Sequence, residues 1–227
     1  MKISEVFYSL QGEGTLLGVP SVFVRTSGCN LRCTWCDTPY TSWQPEGEEL
    51  TVARIVEQVA AFGASHVVVT GGEPMIARDI VELTQALRDI GLHITIETAG
   101  TVFAPVFCDL MSISPKLSNS TPRQREGGRW AAQHERLRYQ PEILKRLMSE
   151  YPYQLKFVIA SPDDLSEVEQ MRNELDADPN NIILMPEGTD RDTVRERGVW
   201  LAQVCKERGY RLTPRLHIEL WGDRRGV

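Results

Sequence analysis

No stretch of this chain is apolar for the 20 or so residues that a bilayer crossing requires. Its first residues, Met1-Lys2-Ile3-Ser4-Glu5, carry neither the apolar core nor the cleavage site of a secretory leader. Positive charge is not in surplus: 25 Lys and Arg stand against 31 Asp and Glu, a net of −6. The basic footprint of a general nucleic-acid binder is therefore missing. Cysteine is scarce and odd in number, five in all. Three fall within Cys29–Cys36, while Cys108 and Cys205 stand alone. A disulfide framework needs paired, dispersed cysteines, whereas a tight odd set is the pattern of metal ligation in a reducing compartment. Internal repeats and low-complexity tracts are also lacking. These exclusions leave a cytoplasmic globular protein with no expected membrane or nucleic-acid partner. They leave room for a small anionic substrate, because a local pocket can be basic on an acidic chain.

What is present is an alternation of β-branched runs with helical spacing, the sign of βα units around a parallel sheet. Six strands are expected: Ser21–Thr26, His66–Thr70, Leu92–Glu97, Leu110–Ser114, Gln154–Ile159 and Asn181–Met185. Helices are expected over Leu50–Phe62 with Thr51 as N-cap, and over Ala77–Ile90, Pro141–Glu150, Leu165–Glu174 and Asp192–Arg208. A closed eight-unit barrel takes about 250 residues. At 227 residues the expectation is an α/β fold, an incomplete (β/α)6-type barrel. Residues Ile3–Tyr8, with a turn near Gly12–Gly14, add a small N-terminal β-extension to a single domain spanning 1–227. Leu117–Tyr139 breaks the rhythm: it is rich in Arg, Gln, Ser and Gly with no apolar period. Its composition predicts a solvated, partly disordered insertion. Its place after a strand end would also suit a lid or a partner contact.

The cysteine loop, Cys29-Asn-Leu-Arg-Cys33-Thr-Trp-Cys36, has the spacing C-x3-C-x2-C. Thiolates on one short loop can hold an iron–sulfur cluster, and a closed electron-transfer cluster takes four. With no fourth cysteine nearby, one iron would be left open for a ligand. Zinc is the competing reading, but a fourth Cys or His at finger spacing is missing, the next histidine being His66.

This spacing resembles the radical S-adenosylmethionine superfamily, as do Trp35 and Gly71-Gly72-Glu73-Pro74. More of the chain resembles one family, the 7-carboxy-7-deazaguanine synthases: Ser9-Leu10-Gln11-Gly12-Glu13-Gly14, Val22–Leu31, Cys36-Asp37-Thr38, Ile96-Glu97-Thr98, Ser114-Pro115-Lys116, Leu216-His217 and Trp221-Gly222. The resemblance implies a 4Fe–4S cluster on Cys29, Cys33 and Cys36, with S-adenosylmethionine chelating the open iron. It also implies Mg²⁺ at Thr38 and conversion of 6-carboxy-5,6,7,8-tetrahydropterin to 7-carboxy-7-deazaguanine with loss of ammonia, in queuosine and 7-deazapurine biosynthesis. The radical comes from the cluster and cofactor, so no catalytic side chain is named. Leu10, Gln11, Gly12, Glu13, Arg25, Thr70 and His217 would contact the pterin. Gly72, Glu73, Ser114, Pro115, Lys116, Met185, Pro186, Glu187 and Gly188 would contact S-adenosylmethionine. A homodimer and an electron donor such as flavodoxin are the implied partners. Two positions depart from the family pattern: Ala99 stands where Asn is common, and Met185 where some members are polar. The rival functions are a glycyl-radical activase and a non-catalytic iron–sulfur or zinc protein.

Overall fold

The computed structural model describes the whole chain, Met1–Val227. Nine strands form one sheet: β1 (Lys2–Leu10), β2 (Pro20–Thr26), β3 (Glu48–Glu49), β4 (His66–Gly71), β5 (His93–Thr98), β6 (Leu110–Ile113), β7 (Tyr153–Ile159), β8 (Ile182–Pro186) and β9 (Arg211–Leu212). Their order is β3-β1-β2-β4-β5-β6-β7-β8-β9, and the two ends do not pair. From β2 through β9 every pairing is parallel, whereas β1 and β3 join antiparallel. This is an open partial barrel with an N-terminal β-extension, and the six expected strands all form. The seventh parallel strand, β9, is two residues long and too short to show as a period in the sequence.

A short helix, α1 (Pro39–Ser42), follows the cysteine loop, and crossovers are made by α2 (Val52–Ala60), α3 (Ile80–Asp89), α5 (Pro141–Glu150), α6 (Asp164–Leu175) and α7 (Arg191–Arg208). Thr51 caps α2 as expected, accepting the Arg54 N–H at 3.3 Å. Between β4 and α3 a 3₁₀ turn, Pro74–Ile76, precedes the α-helix. No helix is long and apolar enough to cross a membrane.

Strand alternation sorts the residues onto two faces. Val22, Val24, Val67, Val69, Ile94, Ile96, Met111, Ile113, Leu155, Phe157 and Ile159 pack with the helices in a 33-residue core. Residues of the opposite parity, Arg25, Thr70, Glu97, Ser112 and Lys156, line a cavity on the concave face. In an ordinary doubly covered parallel sheet both faces are apolar. A polar inner face is thus the first structural mark of a site.

The insertion at 117–139 is ordered, which corrects the expectation of a solvated, partly disordered loop. It forms short 3₁₀ turns at Ser118–Ser120 and Arg125–Gly128 and then a helix, α4 (Ala131–Leu137). Leu117, Leu137 and Tyr139 anchor its ends in apolar clusters, but its other contacts are polar and stacked, so no apolar period announces it. Thr34 N donates to the Ser120 carbonyl at 2.8 Å. The Arg32 N–H donates to His134 Nδ1 at 3.1 Å, while His134 Nε2 meets the Ser120 hydroxyl at 2.9 Å. Arg32 stacks on Trp130, and Arg125 on Trp43. The insertion braces the cysteine loop from outside.

His134 is buried, and burial pushes its pKa down to about 4 from 6.5. The neutral ring is the folded form, so stability is lost as pH falls below 6.5 and the loss levels off beneath about 4. In cluster-free protein, the Tm of wild type is expected to drop relative to that of His134→Asn across this interval. Parallel melting curves for the two proteins would refute the brace.

Candidate active site

The cavity, of about 580 Å³, lies at the carboxyl ends of the parallel strands, where ligand sites form in α/β proteins. Its wall begins with the cysteine loop after β2 and continues through Thr70–Gly72, Thr98–Ala99, Ser114, Lys116, Met185 and Glu187 at successive strand ends. Arg215 and His217, after β9, close the far side.

The cysteine loop and the Gly71–Pro74 turn meet through their backbones. Gly72 N donates to the Thr26 carbonyl at 3.2 Å, and Glu73 N to the Gly28 carbonyl at 2.9 Å. A Cβ on Gly72 would overlap the Gly28 carbonyl oxygen. Only glycine allows this approach. Cys29, Cys33 and Cys36 all line the cavity. They are not drawn together as ligands of a single metal ion, and a cuboidal cluster instead takes one thiolate at each of its corners. Burial raises the Cys29 thiol to about 12, and raises Cys33 as well. Iron ligation would take thiolates from this dry loop and release their protons. Three sulfur donors, no fourth cysteine and an adjoining cavity fit an open 4Fe–4S cluster.

Glu73 is fully buried and does not line the cavity. One carboxylate oxygen accepts the Thr98 hydroxyl at 2.7 Å and Met75 N at 3.1 Å, and the other accepts Ala99 N at 2.8 Å. Burial raises its pKa. The carboxylate thus binds the end of β5 to the glycine turn, and one of its about four lone-pair directions remains open. Lys116 donates to the carbonyl and hydroxyl of Ser114, at 3.0 and 2.9 Å. Its ammonium lies above the Trp35 ring. Glu187 is paired with Arg197. Pro115, Pro186 and Gly188 stand behind the cavity wall, unlike Gly72, Ser114, Lys116, Met185 and Glu187.

On the opposite side, Leu10, Gln11, Gly12, Glu13, Arg25, Thr70 and His217 are brought together, with Thr38 at the rim beside Cys36. Glu97, Lys156, Arg215 and Asp37 join them and were not singled out from the sequence. Gln11 Nε2 and the Thr70 hydroxyl both donate to Glu97, at 3.2 and 3.0 Å. Lys156 pairs with Glu13, as does Arg215. Burial alone would raise the Glu13 pKa, but these two cations reverse the shift and hold it ionised. Burial opposes the charge on Lys156, and Glu13 with Glu97 outweighs it. Buried charges survive only when paired in this way. Arg25 Nε donates to Glu5 at 2.6 Å, which fixes the guanidinium on the cavity wall. His217 lies against Gly12, and burial lowers its pKa, so the ring is neutral near pH 7. The signal for Glu97 and Lys156 was available: each is a charge at an inner-face position of an apolar strand. Asp37 stood in the Cys36-Asp37-Thr38 motif without an assigned contact, and Arg215 gave no signal, because their pairing spans 178 residues of sequence.

An open-cluster loop beside a glycine turn, at the mouth of a partial barrel, defines a radical S-adenosylmethionine enzyme, and residues 23–116 match the Radical SAM superfamily. Similarity then extends over the full chain. It is 46% identical over 226 residues to the 7-carboxy-7-deazaguanine synthase of Rhodopirellula baltica, covering 99% of this chain and 88% of that one. It is 44% identical over 234 residues to that of Halobacterium salinarum, covering 98% and 91%. The crystal structure of QueE from Escherichia coli matches with a TM-score of 0.68 and 26% identity, covering 93% of this chain and 92% of that one. The chain belongs to the 7-carboxy-7-deazaguanine synthase family.

The backbone approach at Gly72 makes a direct prediction. Gly72→Ala should keep the native far-UV spectrum, yet lower S-adenosylmethionine affinity at least about tenfold, as the loss of supporting contacts commonly does. Equilibrium binding to the reconstituted protein reads this. Unchanged affinity at full iron content would show that the close approach is dispensable.

Proposed function

We propose that this chain converts 6-carboxy-5,6,7,8-tetrahydropterin to 7-carboxy-7-deazaguanine and ammonia. The reading is supported above all by one cavity that carries three open-cluster cysteines on one wall and a polar, carboxylate-reading set on the other. Product plus ammonia contains the atoms of the substrate, so the conversion needs no net oxidant. When bound, the cluster and S-adenosylmethionine supply a 5′-deoxyadenosyl radical that removes a hydrogen atom from the substrate.

The remaining work falls to the protein's side chains. Arg25, held through Nε by Glu5, would offer its remaining N–H edge bidentately to the substrate carboxylate. Glu13 and Glu97, with Gln11 and Thr70, would accept and donate along the guanidine-like edge of the pterin. Leu10 and Gly12 would supply main-chain contacts. His217, neutral, would bond the pterin ring without adding a charge. Gly72, Ser114, Lys116, Met185 and Glu187 would form the S-adenosylmethionine side, with Met185 acting through its backbone and Glu73, Pro115, Pro186 and Gly188 supporting them from behind the wall. Cys29, Cys33 and Cys36 would hold the cluster. Mg²⁺ at Thr38, a homodimer and a flavodoxin-type electron donor complete the proposal.

The test is anaerobic reconstitution, reduction, and measurement of product and 5′-deoxyadenosine with the pterin. Both are expected from wild type. A protein that loads iron but releases no deoxyadenosine would overturn the enzyme reading, and deoxyadenosine without product would overturn the pterin. Arg25→Gln should raise the KM for the carboxylated pterin on the order of 30–150-fold, the loss of about 2–3 kcal/mol in charged hydrogen bonds. An unaltered KM would remove Arg25 from the carboxylate site.

A further inference from the structure

Arg215 is buried, and its three nitrogens reach three different parts of the site. Nε donates to Glu13 Oε1 at 3.2 Å, Nη2 to the Asp37 carboxylate and Nη1 to the Gly188 carbonyl. Glu13 belongs to the Gln11–Glu13 segment assigned to the pterin. Asp37 lies between Cys36 and Thr38, and Gly188 ends the Met185–Gly188 segment assigned to S-adenosylmethionine. The backbone is tied in as well: Leu216 N donates to the Gly12 carbonyl at 2.9 Å.

Charge neutralisation accounts for only part of this arrangement. Glu13 already has Lys156, and the Asp37 side chain is 44% exposed, so water can solvate it. An isolated arginine would ordinarily extend its head to water. What Arg215 supplies that a lysine could not is the planar fork, which fixes three directions at once. All three partners lie on loops rather than on strands, where positions are least constrained by the sheet.

We propose that Arg215 is a positioning residue that locks the pterin loop, the Cys36–Thr38 segment and the S-adenosylmethionine loop into one register, so that occupancy of one ligand site favours the other. This inference rests on the assignment of the two ligand sites above. It makes binding of the two ligands cooperative, with Arg215 as the shared element.

The experiment is equilibrium binding of 6-carboxytetrahydropterin to cluster-loaded, unreduced protein, with and without saturating S-adenosylmethionine. In wild type, S-adenosylmethionine should tighten pterin binding by a factor in the range of about 5 to 150. In R215K, which keeps the charge and loses the fork, that factor should fall toward one while iron content stays at the wild-type level. Asp37→Ala cuts only the arm to the cysteine loop at a half-exposed site, and should lower the factor too; it decides the matter if R215K does not fold. Wild-type coupling retained in R215K, or in Asp37→Ala where R215K is not folded, overturns the proposal, as does a factor of one in wild type. A wild-type protein that binds no pterin at all would instead refute the pterin assignment.

Discussion

Everything in this site depends on two loops touching backbone to backbone. The parallel ladder of β2 and β4 runs on past the strand ends, through Gly72 N to the Thr26 carbonyl and Glu73 N to the Gly28 carbonyl. The contact is possible because Gly72 has no side chain to place there. It sets the cysteine loop against the glycine turn, and Glu73 then fastens the turn to Thr98 and Ala99 at the end of β5. The cysteine loop and the glycine turn are thereby fixed to each other by main chain.

The second constraint is electrostatic. A half-barrel whose inner face carries Arg25, Glu97 and Lys156 would be unstable if those charges were left unpaired in a dry cavity. Each therefore has a partner: Glu5 for Arg25, Glu13 and Glu97 for Lys156, and Glu13 again for Arg215. The pairs leave hydrogen-bonding edges pointing into the cavity, which suits a flat, polar, carboxylated substrate. The outer face of the same strands is almost purely aliphatic, so one period-two pattern builds both the core and the pocket.

Much of this was legible in the sequence. Cysteine spacing marked a loop that lines the cavity, β-branched runs marked the six principal strands, and Thr51 marked the start of a helix. The rest was hidden for physical reasons. The brace at 117–139 is held by stacked arginines and a buried histidine, and such contacts leave no hydrophobic period. Strand β9 is too short to have a period at all. The Glu13–Lys156 and Asp37–Arg215 pairs join residues 143 and 178 positions apart, and no local rule connects them. Glu73 shows the reverse case: its motif was plain, but its three hydrogen bonds to the protein depend on where β5 ends.

The central proposal is that Cys29, Cys33 and Cys36 would hold a cluster with one open iron, at which S-adenosylmethionine would bind beside Gly72. Electron–nuclear double resonance on the reduced cluster with amino-¹⁵N-labelled S-adenosylmethionine tests it most directly. A ¹⁵N hyperfine coupling to the cluster is the predicted result. A cluster signal that is fully formed yet shows no coupling to the labelled nitrogen would contradict it.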